Sequence, residues 1–313
     1  MTGAIFLDAE FTAPWGVAVP RARELAAVLA PTAEHLVSYH FVIEGVMTVQ
    51  AEDGTEFEAA AGDIVIIPYG DSHRLSNGAA NEFIDSARAL RQLARGDVIR
   101  FQLGGGGART RMVCGFFGCR RQAMRLFLAG LPQLLCISVR GDPSGDWIES
   151  SILHLISDAE ADRPGRSVLL ARMAEALFIE SMRRYVERLP EDQTGWLAAA
   201  RDPVVGRVLA LIHREPKRHW STGELAETAG ASRSVVTERF ARLLGETPIS
   251  YLSRCRLQLA ARLLQTTQQP VVQLACEVGY ASEASFNRAF KREFGTPPAR
   301  YRKQGLAQPA SNP

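Results

Sequence analysis

The sequence predicts an α+β protein, in which an N-terminal β-barrel with flanking helices precedes an all-α domain with two helix-turn-helix units joined by a long helix. Two observations predict this fold class. Short runs rich in β-branched and aromatic residues, separated by Gly, Asp and Pro, extend from about residue 6 to residue 139, which is typical of a sandwich or a small barrel. The last third of the chain repeats one helix-helix pattern, from Gly223 to Tyr251 and again from Val272 to Tyr301. A repeat of this kind indicates one structural unit that is used twice.

The most diagnostic part of the β-rich half is the segment GDIVIIPYGDSHRLSN, residues 62–77. It contains the pattern G(x)5PxG(x)2H(x)3N at every fixed position and resembles the second motif of the cupin barrel. A buried strand is expected to end at Pro68, and a turn then reverses the chain at Gly70. His73 is expected to point from the returning strand into the barrel. The resemblance implies a cupin-like fold for this half of the chain.

In metal-binding cupins, the histidine of this motif joins two further histidines and a glutamate from the first motif. The corresponding stretch here is HLVSYHFVIEG, residues 35–45. Ser38 falls at the position of the glutamate, and the His-x-His pair is missing. We therefore predict no metal and no other cofactor. The alternative is a rearranged site of His40, Glu44 and His73, because two histidines and a carboxylate suit a divalent ion.

The interior of the predicted barrel is the expected place for a small molecule. Trp15, His40 and His73 are the candidate pocket residues. The alternative role for each of them is packing in the core.

Two cysteines in the run MVCGFFGCRR, Cys114 and Cys119, suggest a second kind of input. The adjacent Arg120 and Arg121 are expected to lower the pKa of the Cys119 thiol, which favours reaction with oxidants. On an extended strand, residues five apart point to opposite faces and lie about 16 Å apart. A direct disulfide therefore requires a turn at one of the two intervening glycines. The alternatives are an oxidant sensor and a pair of buried, inert thiols.

A long helix is expected from residue 166 to residue 189, because apolar residues recur there at helical spacing. These residues are Leu170, Met173, Leu177, Met182 and Tyr185. The stripe either packs on its own barrel or forms the interface of a homodimer. The polar, turn-rich tract that follows indicates an interdomain linker, predicted over residues 191–202.

Each copy of the repeat has the layout of a helix-turn-helix. A short helix ends at a glycine, which adopts positive φ without steric penalty, and Ser232 or Ser282 then caps the next helix. That second helix is expected to bury an apolar stripe, formed by Val236, Phe240 and Leu243 in the first copy and by Phe286, Phe290 and Phe294 in the second. Its opposite face is polar. Such a helix suits the major groove, where base edges present hydrogen-bond patterns.

The stretch between the copies is expected to form one helix from Pro248 to about Thr266. Proline is tolerated in the first turn of a helix, and Leu252, Leu259 and Leu263 follow helical spacing. At 1.5 Å per residue this helix is about 27 Å long, close to the roughly 34 Å turn of B-DNA. One chain is therefore expected to place two recognition helices in successive major grooves.

A second resemblance lies in the run LACEVGYASEASFNRAFKREFGTPPARYR, residues 274–302. The region from about residue 203 to residue 303 resembles the DNA-binding domain of the AraC/XylS family of bacterial transcription regulators. The first copy departs from the family at Glu238, where such regulators usually carry arginine. A carboxylate there repels phosphate but accepts a hydrogen bond from a cytosine amino group. The DNA-facing residues are predicted to be Arg233, Ser234, Thr237, Glu238, Ser282, Glu283, Ser285, Asn287, Arg288 and Lys291.

Charge is divided unevenly along the chain. Residues 201–313 contain 17 Lys and Arg against 9 Asp and Glu, whereas residues 1–200 contain 19 against 25. A basic third beside an acidic two-thirds indicates a nucleic-acid partner for the basic part. There is no run of 18 apolar residues and no basic-apolar leader, and the five cysteines are an odd number. We therefore expect a cytoplasmic protein that contacts no membrane.

The expected function is that of a sequence-specific, DNA-binding transcription regulator, an activator or a repressor. Its cupin-like domain is expected to respond to a small-molecule effector or to oxidation. The expected partners are double-stranded promoter DNA, RNA polymerase and a second copy of the chain, which forms a homodimer. We expect no enzymatic activity. The alternatives are a metal-dependent cupin enzyme fused to a DNA-binding module, and a regulator without a ligand.

The expected domain limits follow from these segments. The cupin-like sensor with its long C-terminal helix covers residues 1–190, and the linker covers residues 191–202. The tandem helix-turn-helix domain covers residues 203–305. A disordered tail is predicted for residues 306–313.

Overall fold

The computed structural model describes residues 2–30, 33–78, 82–86, 99–119, 128, 131–141, 143–157 and 165–306 of the 313-residue chain. The chain divides into two compact units, Met1–Arg188 and Leu189–Pro313. The first unit is rich in β-structure and the second is helical. The α+β fold class predicted from the sequence is therefore confirmed.

The strands of the first unit form two sheets. The described strands are β1 Thr2–Thr12, β2 Trp15–Val19, β3 His35–Glu44, β4 Val46–Ala51, β5 Glu56–Ala60, β6 Asp63–Ile67, β7 His73–Asn77, β8 Ile84–Asp85, β9 Ile99–Gly104, β10 Arg109–Cys119 and β11 Leu135–Ser138. One sheet has the strand order β11-β6-β3-β10-β1-β9 and the other has the order β5-β4-β7-β2-β8. In the part of the chain that the structure describes, no strand pairing joins the two sheets, so they are layers rather than a closed ring.

An apolar core fills the space between the two sheets. Val42, Val65 and Met112 contribute to it from the six-stranded sheet, and Val49 and Leu75 contribute from the five-stranded sheet. Successive side chains of a strand alternate between its two faces, so each strand lends only part of its residues to this core. The interior between the sheets is therefore apolar, and a polar group buried within it is expected to need a hydrogen-bond partner.

Three helices are described in the first unit: α1 Ala22–Leu29, α2 Pro143–Ser157 and α3 Arg166–Glu187. Helix α3 ends two residues before its predicted end. Its predicted apolar stripe faces its own unit, where Leu170, Leu177 and Met182 are buried. The buried Arg184 fixes α3 to the end of β11, because its guanidinium donates to the Ser138 and Arg140 carbonyls, each at 3.0 Å.

The second unit contains the two predicted helix-turn-helix motifs. Its helices are α4 Trp196–Arg201, α5 Val205–Arg214, α6 Thr222–Thr228, α7 Arg233–Leu244, α8 Pro248–Thr266, α9 Val271–Glu277, α10 Glu283–Phe294 and α11 Pro298–Leu306. Helices α6 and α7 form the first motif, and α9 and α10 form the second. The connecting helix α8 has the bounds predicted from the sequence.

Helix α8 belongs to the cores of both motifs. Near its beginning, the buried Tyr251 packs edge-on against Phe240 of α7, with ring centroids 5.9 Å apart. Near its end, Leu264 packs in the core that contains Phe286 and Phe290 of α10. One continuous helix therefore supports both recognition helices from behind.

The stretch predicted as a linker, residues 191–202, includes helix α4. The indole N–H of Trp196 donates to the Tyr251 hydroxyl at 2.9 Å, and the amide of Gly195 donates to the Leu243 carbonyl at the end of α7, at 2.8 Å. The Asp202 carboxylate accepts hydrogen bonds from two amides at the start of α5 and pairs with Arg239 of α7 at 3.1 Å. These contacts attach the segment to the first helix-turn-helix.

Two further expectations concern membranes and the C-terminus. None of the helices in the described ranges is long and apolar enough to span a membrane. Apart from Leu306, the last residue of α11, the predicted tail over residues 306–313 lies outside the described residues.

Candidate functional site

The two recognition helices, α7 and α10, begin with the predicted serine caps. The Ser232 hydroxyl accepts the Val235 amide at 3.3 Å, and the Ser282 hydroxyl accepts the Ser285 amide at 3.2 Å. Both preceding turns contain a glycine in the left-handed region, with φ of 71° at residue 230 and 87° at residue 279. Each cap satisfies one otherwise unpaired amide of the first helical turn. The repeated sequence therefore produces the same local geometry twice.

The buried stripe of each recognition helix is largely as predicted. Val236, Phe240 and Leu243 of α7 are buried, and so are Phe286 and Phe290 of α10, whereas Phe294 is partly buried. The opposite face is open to solvent. The exposed members of the predicted DNA-facing set are Arg233, Ser234, Thr237, Glu238, Ser282, Glu283, Arg288 and Lys291, and the partly buried ones are Ser285 and Asn287.

Several hydroxyls on this face already have partners within their own helix. Thr237 donates to the Arg233 carbonyl at 2.8 Å, and Ser285 donates to the Ser282 carbonyl at 2.8 Å. The longer side chains differ: Glu238, Arg288 and Lys291 make no hydrogen bond or ion pair with any other residue that the structure describes. The groups available for an external ligand are therefore mainly charged.

A surface cavity of about 300 Å³ lies beside the second recognition helix. Its charged lining residues are Glu283, Arg288 and Lys291, and Asn287, Pro297 and Pro298 also line it. Two cations beside one carboxylate give this surface a net positive charge, which attracts an anionic partner such as a phosphodiester backbone.

Within the first unit, three predicted site residues come together in one chain of hydrogen bonds. His73 Nδ1 lies 3.0 Å from the Asp71 carbonyl, His40 Nε2 lies 2.7 Å from His73 Nε2, and His40 Nδ1 lies 2.9 Å from Cys114 Sγ. A carbonyl only accepts, so His73 Nδ1 carries a proton and neutral His73 accepts at Nε2. His40 then donates from Nε2, and its Nδ1 accepts the Cys114 thiol proton. Each donor in the chain meets one acceptor when all three side chains are neutral.

The pKa shifts agree with this neutral arrangement. Burial lowers the pKa of His73 to about 4, and burial together with the neighbouring His73 lowers the pKa of His40 well below its usual range. Burial raises the pKa of the Cys114 thiol far above its ordinary value. The charged form of each buried group loses its hydration, which explains all three directions.

The expectations for the two cysteines were partly wrong. Strand β10 runs unbroken from Arg109 to Cys119, with no turn between the two thiols, and Cys114 faces His40 across the ladder while Cys119 faces His35. A direct disulfide would require that strand to open. Burial raises the pKa of Cys119, contrary to the lowered value expected from Arg120 and Arg121, which both lie outside the described residues.

The other interior candidates have separate environments. Trp15 lies in the core, stacked on Phe11 at 4.2 Å, and its buried indole N–H has no hydrogen-bond partner among the described residues. Glu44 lies on the surface and pairs with Arg109 at 3.2 Å, so the alternative metal site with His40 and His73 does not form. In the described ranges no group of three or more ligating side chains has the geometry to hold a metal.

His73 also lines a cavity of about 590 Å³ on the five-stranded sheet. Its other polar lining residues, which the sequence did not predict, include Gln50, Arg74 and Asp85. Gln50 and Arg74 are cross-strand partners of β4 and β7. A cross-strand pairing depends on register, which no local motif revealed.

Proteins similar to this chain are transcription regulators. A family model described as a cupin matches residues 1–187, and one described as a helix-turn-helix domain matches residues 225–304. The HTH-type transcriptional regulator AlkR of Acinetobacter baylyi is 33% identical over 85% of this chain and 87% of its own length. A Streptomyces lividans protein described as AraC-like is 33% identical over 87% of this chain and 88% of its own length. The chain belongs to the AraC family of DNA-binding transcription regulators.

The family assignment covers both candidate regions of this AraC-family regulator. The RCS-specific HTH-type transcriptional activator RclR of Escherichia coli is also similar, 27% identical over 86% of this chain and 85% of its own length. The matched cupin range contains His40, His73 and Cys114, and the matched helix-turn-helix range contains α7 and α10. Both resemblances inferred from the sequence are thus confirmed.

Proposed function

We propose that this AraC-family regulator reads promoter DNA with the outward faces of α7 and α10. One observation carries the proposal: each helix is capped and held by a buried stripe, while Glu238, Arg288 and Lys291 point outward without partners. A helix pinned on one side with free polar groups on the other is the arrangement that inserts into a major groove. The ten residues predicted from the sequence remain the proposed DNA-facing set.

Base contacts and phosphate contacts are expected to respond differently to substitution. Arg288→Ala should weaken binding to the selected site by about 1–3 kcal/mol and relax the sequence preference at one base pair. The reason is that an arginine side chain donates two hydrogen bonds to the edge of a guanine base. Lys291→Ala should weaken binding to all sequences and reduce the salt slope by about one. The measurement is a fluorescence anisotropy titration of full-length protein on selected and scrambled duplexes. An Arg288→Ala protein with unchanged affinity and preference would contradict the proposed face.

The first test of the function as a whole uses DNA from upstream of the regulator's own gene. Selective binding that weakens steeply as salt rises is expected, because phosphate contacts release counterions. Binding that does not distinguish this DNA from scrambled DNA, with or without candidate effectors, would contradict the proposal.

We further propose that the cupin domain receives a small-molecule effector or an oxidant. The cavity lined by His73, Gln50 and Arg74 supports a small molecule that offers hydrogen-bond acceptors. The similarity to RclR, which is described as an RCS-specific activator, supports an oxidant. An input of either kind acts only if it favours one of two arrangements of the protein.

The two inputs are separable by comparing DNA binding of reduced and hypochlorite-treated protein. A change that is lost in the Cys114→Ala, Cys119→Ala double variant supports the oxidant. No change on oxidation, together with a thermal shift on addition of one metabolite, supports the small molecule. A regulator without a ligand would show neither response.

A homodimer is part of the proposal. Helix α3 exposes Val168, Leu169 and Ile179, and their exposed fractions are 59%, 53% and 63%. Val168 and Ile179 are eleven residues apart, which places them three turns apart on the helix side opposite the buried stripe. A second copy of the chain would bury these apolar groups if it packed along that side. Sedimentation equilibrium should show a dimer for the parent protein and a monomer for Ile179→Asp. A parent protein that stays monomeric at micromolar concentration would contradict this part.

The remaining parts of the proposal concern partners, activity and domain limits. We propose RNA polymerase as the second partner, a cytoplasmic location, and no enzymatic activity or cofactor. The surface position of Glu44 argues against the alternative of a metal-dependent cupin enzyme. The proposed limits are residues 1–190 for the sensor and 203–305 for DNA binding, with the α4 segment acting as part of the second half.

A further inference from the structure

Arg256 lies near the middle of α8, where the helix passes from one motif to the other. Tyr251, five residues earlier, packs on the first helix-turn-helix, whereas Leu257, the next residue, belongs to the core of the second. The Arg256 side chain is partly buried at this boundary. It is therefore in a position to contact both motifs at once.

The Arg256 guanidinium donates three hydrogen bonds, and each goes to a backbone carbonyl. Two go to the loop that leads into α6, at Pro216 (2.9 Å) and Arg218 (2.8 Å). The third goes to Gly279, in the turn of the second helix-turn-helix, at 3.1 Å. Hydrogen bonds from a charged donor are among the stronger ones in proteins. A single side chain thus fastens the loop of the first motif to the turn of the second.

Two neighbouring features reinforce this connection. Gly279 has φ of 87°, which favours glycine, and a Cβ atom at this position would lie 2.8 Å from Arg256 Cζ, so a larger residue would displace the guanidinium. Beside it, Lys217 of the same loop pairs with Glu277 at the end of α9 at 2.7 Å. The loop is therefore joined to the second motif by a partly buried cluster of hydrogen bonds and by an exposed ion pair. The exposed pair contributes little by itself, because water screens it.

We propose that Arg256 is a positioning residue that fixes the spacing and angle between α7 and α10 of one chain. It thereby sets the separation of the two DNA segments that these helices contact, which we call half-sites. The inference rests on the proposed function of these two helices. It assigns to Arg256 a role in specificity that involves no contact with DNA.

The physical reason lies in the geometry of the duplex. Each base pair inserted between two half-sites moves one of them by about 3.4 Å and rotates it by about 34° around the helix axis. A rigid pair of recognition helices cannot follow both changes, so it binds a respaced site through one half only. A loosened pair follows them, but its second helix has a lower effective concentration at the correctly spaced site.

The experiment uses full-length protein and a DNA site selected from a random library. Four duplexes are compared: the selected site, the same site with one and with two inserted base pairs, and a site with one half scrambled. For the parent protein, insertions should reduce affinity at least about tenfold, to the level of the half-site. For Arg256→Gln, affinity for the selected site should fall about three- to tenfold, while the penalty for an insertion shrinks to about two- to threefold.

The half-site affinity is the control for folding, since it should be the same in the two proteins. Arg262→Gln, at an exposed position of the same helix, is the matched control for the loss of an α8 arginine, and it should keep the parental spacing penalty. Arg256→Lys retains the charge but not the planar guanidinium with its several donors. It should therefore also reduce the affinity penalty for an inserted base pair. An Arg256→Gln or Arg256→Lys protein that keeps the parental penalty overturns the inference.

Failure of the inference is distinguishable from failure of the proposed function. If the parent protein selects no sequence, the proposed function fails. If it selects a site but tolerates insertions as well as Arg256→Gln does, only the positioning role fails.

Discussion

Acidification is expected to destabilise the first unit through the hydrogen-bond chain Cys114–His40–His73. An unfolded imidazole binds a proton below pH about 6.5, whereas burial lowers the pKa of folded His73 to about 4. The unfolded state therefore binds more protons between these two values. Stability is fully present above pH 6.5 and is lost as the pH falls toward 4.

The magnitude follows from the difference between the two pKa values of His73. Between pH 7.5 and pH 5.0, linkage gives a loss of about 2 kcal/mol from this one side chain. His40 acts in the same direction, because burial and its neighbour lower its pKa as well. A loss of this size is a large fraction of the stability of an ordinary domain.

The assay is amide hydrogen exchange of β3 and β7 in moderate urea, corrected for the intrinsic pH dependence of exchange. His73→Gln removes the titrating group. Between pH 7.5 and pH 5.0, this variant should therefore lose about 2 kcal/mol less unfolding free energy than the parent protein. His154→Gln is the matched control, since His154 is an exposed histidine of the same unit. A His73→Gln protein with the parental pH dependence, or a parent that becomes more stable at pH 5, would refute the reasoning.

Three further predictions concern backbone, cap and core. Gly70→Ala should destabilise the first unit by more than Gly54→Ala in urea unfolding. Both positions have positive φ, but only a Cβ atom at Gly70 would meet the Leu36 carbonyl oxygen, at 2.6 Å. Equal losses of stability in the two variants would contradict this. Asp202→Ala should cost about 1–3 kcal/mol in the second unit, because two amides of α5 lose their acceptor; Asp202→Asn, which retains a cap acceptor, should cost less. Phe290→Ala should cost about 3–5 kcal/mol in thermal unfolding, because its side chain is fully buried; a loss below about 1 kcal/mol would show that the site collapses around the cavity.

Local rules explain the parts of the fold that the sequence predicted well. The bounds of α8 and the serine caps of α7 and α10 depend on residues within a few positions of each other. The same holds for the turn after β6, where the motif residues Pro68, Gly70 and His73 lie on consecutive elements. Short-range patterns of this kind are readable without knowledge of the tertiary structure.

Long-range register explains what the sequence did not predict. Cys114 and His40 are 74 positions apart and meet only because β10 and β3 are in register. Glu44 was a plausible metal ligand in the sequence, but at the end of β3 its side chain is drawn to Arg109 on the surface. Arg256 contacts backbone carbonyls 40 and 38 residues before it and 23 residues after it, and a carbonyl acceptor has no sequence signature.

The attachment of α4 to the first recognition helix has a consequence for how such proteins evolve by exchange of modules. The Gly195 amide holds the Leu243 carbonyl, and Trp196 completes the hydrogen bonding of Tyr251. A gene fusion that replaces the first unit leaves the DNA-binding domain intact only when its crossover point falls before residue 195. Crossovers after residue 202 would produce chimaeras whose first recognition helix lacks part of its own support.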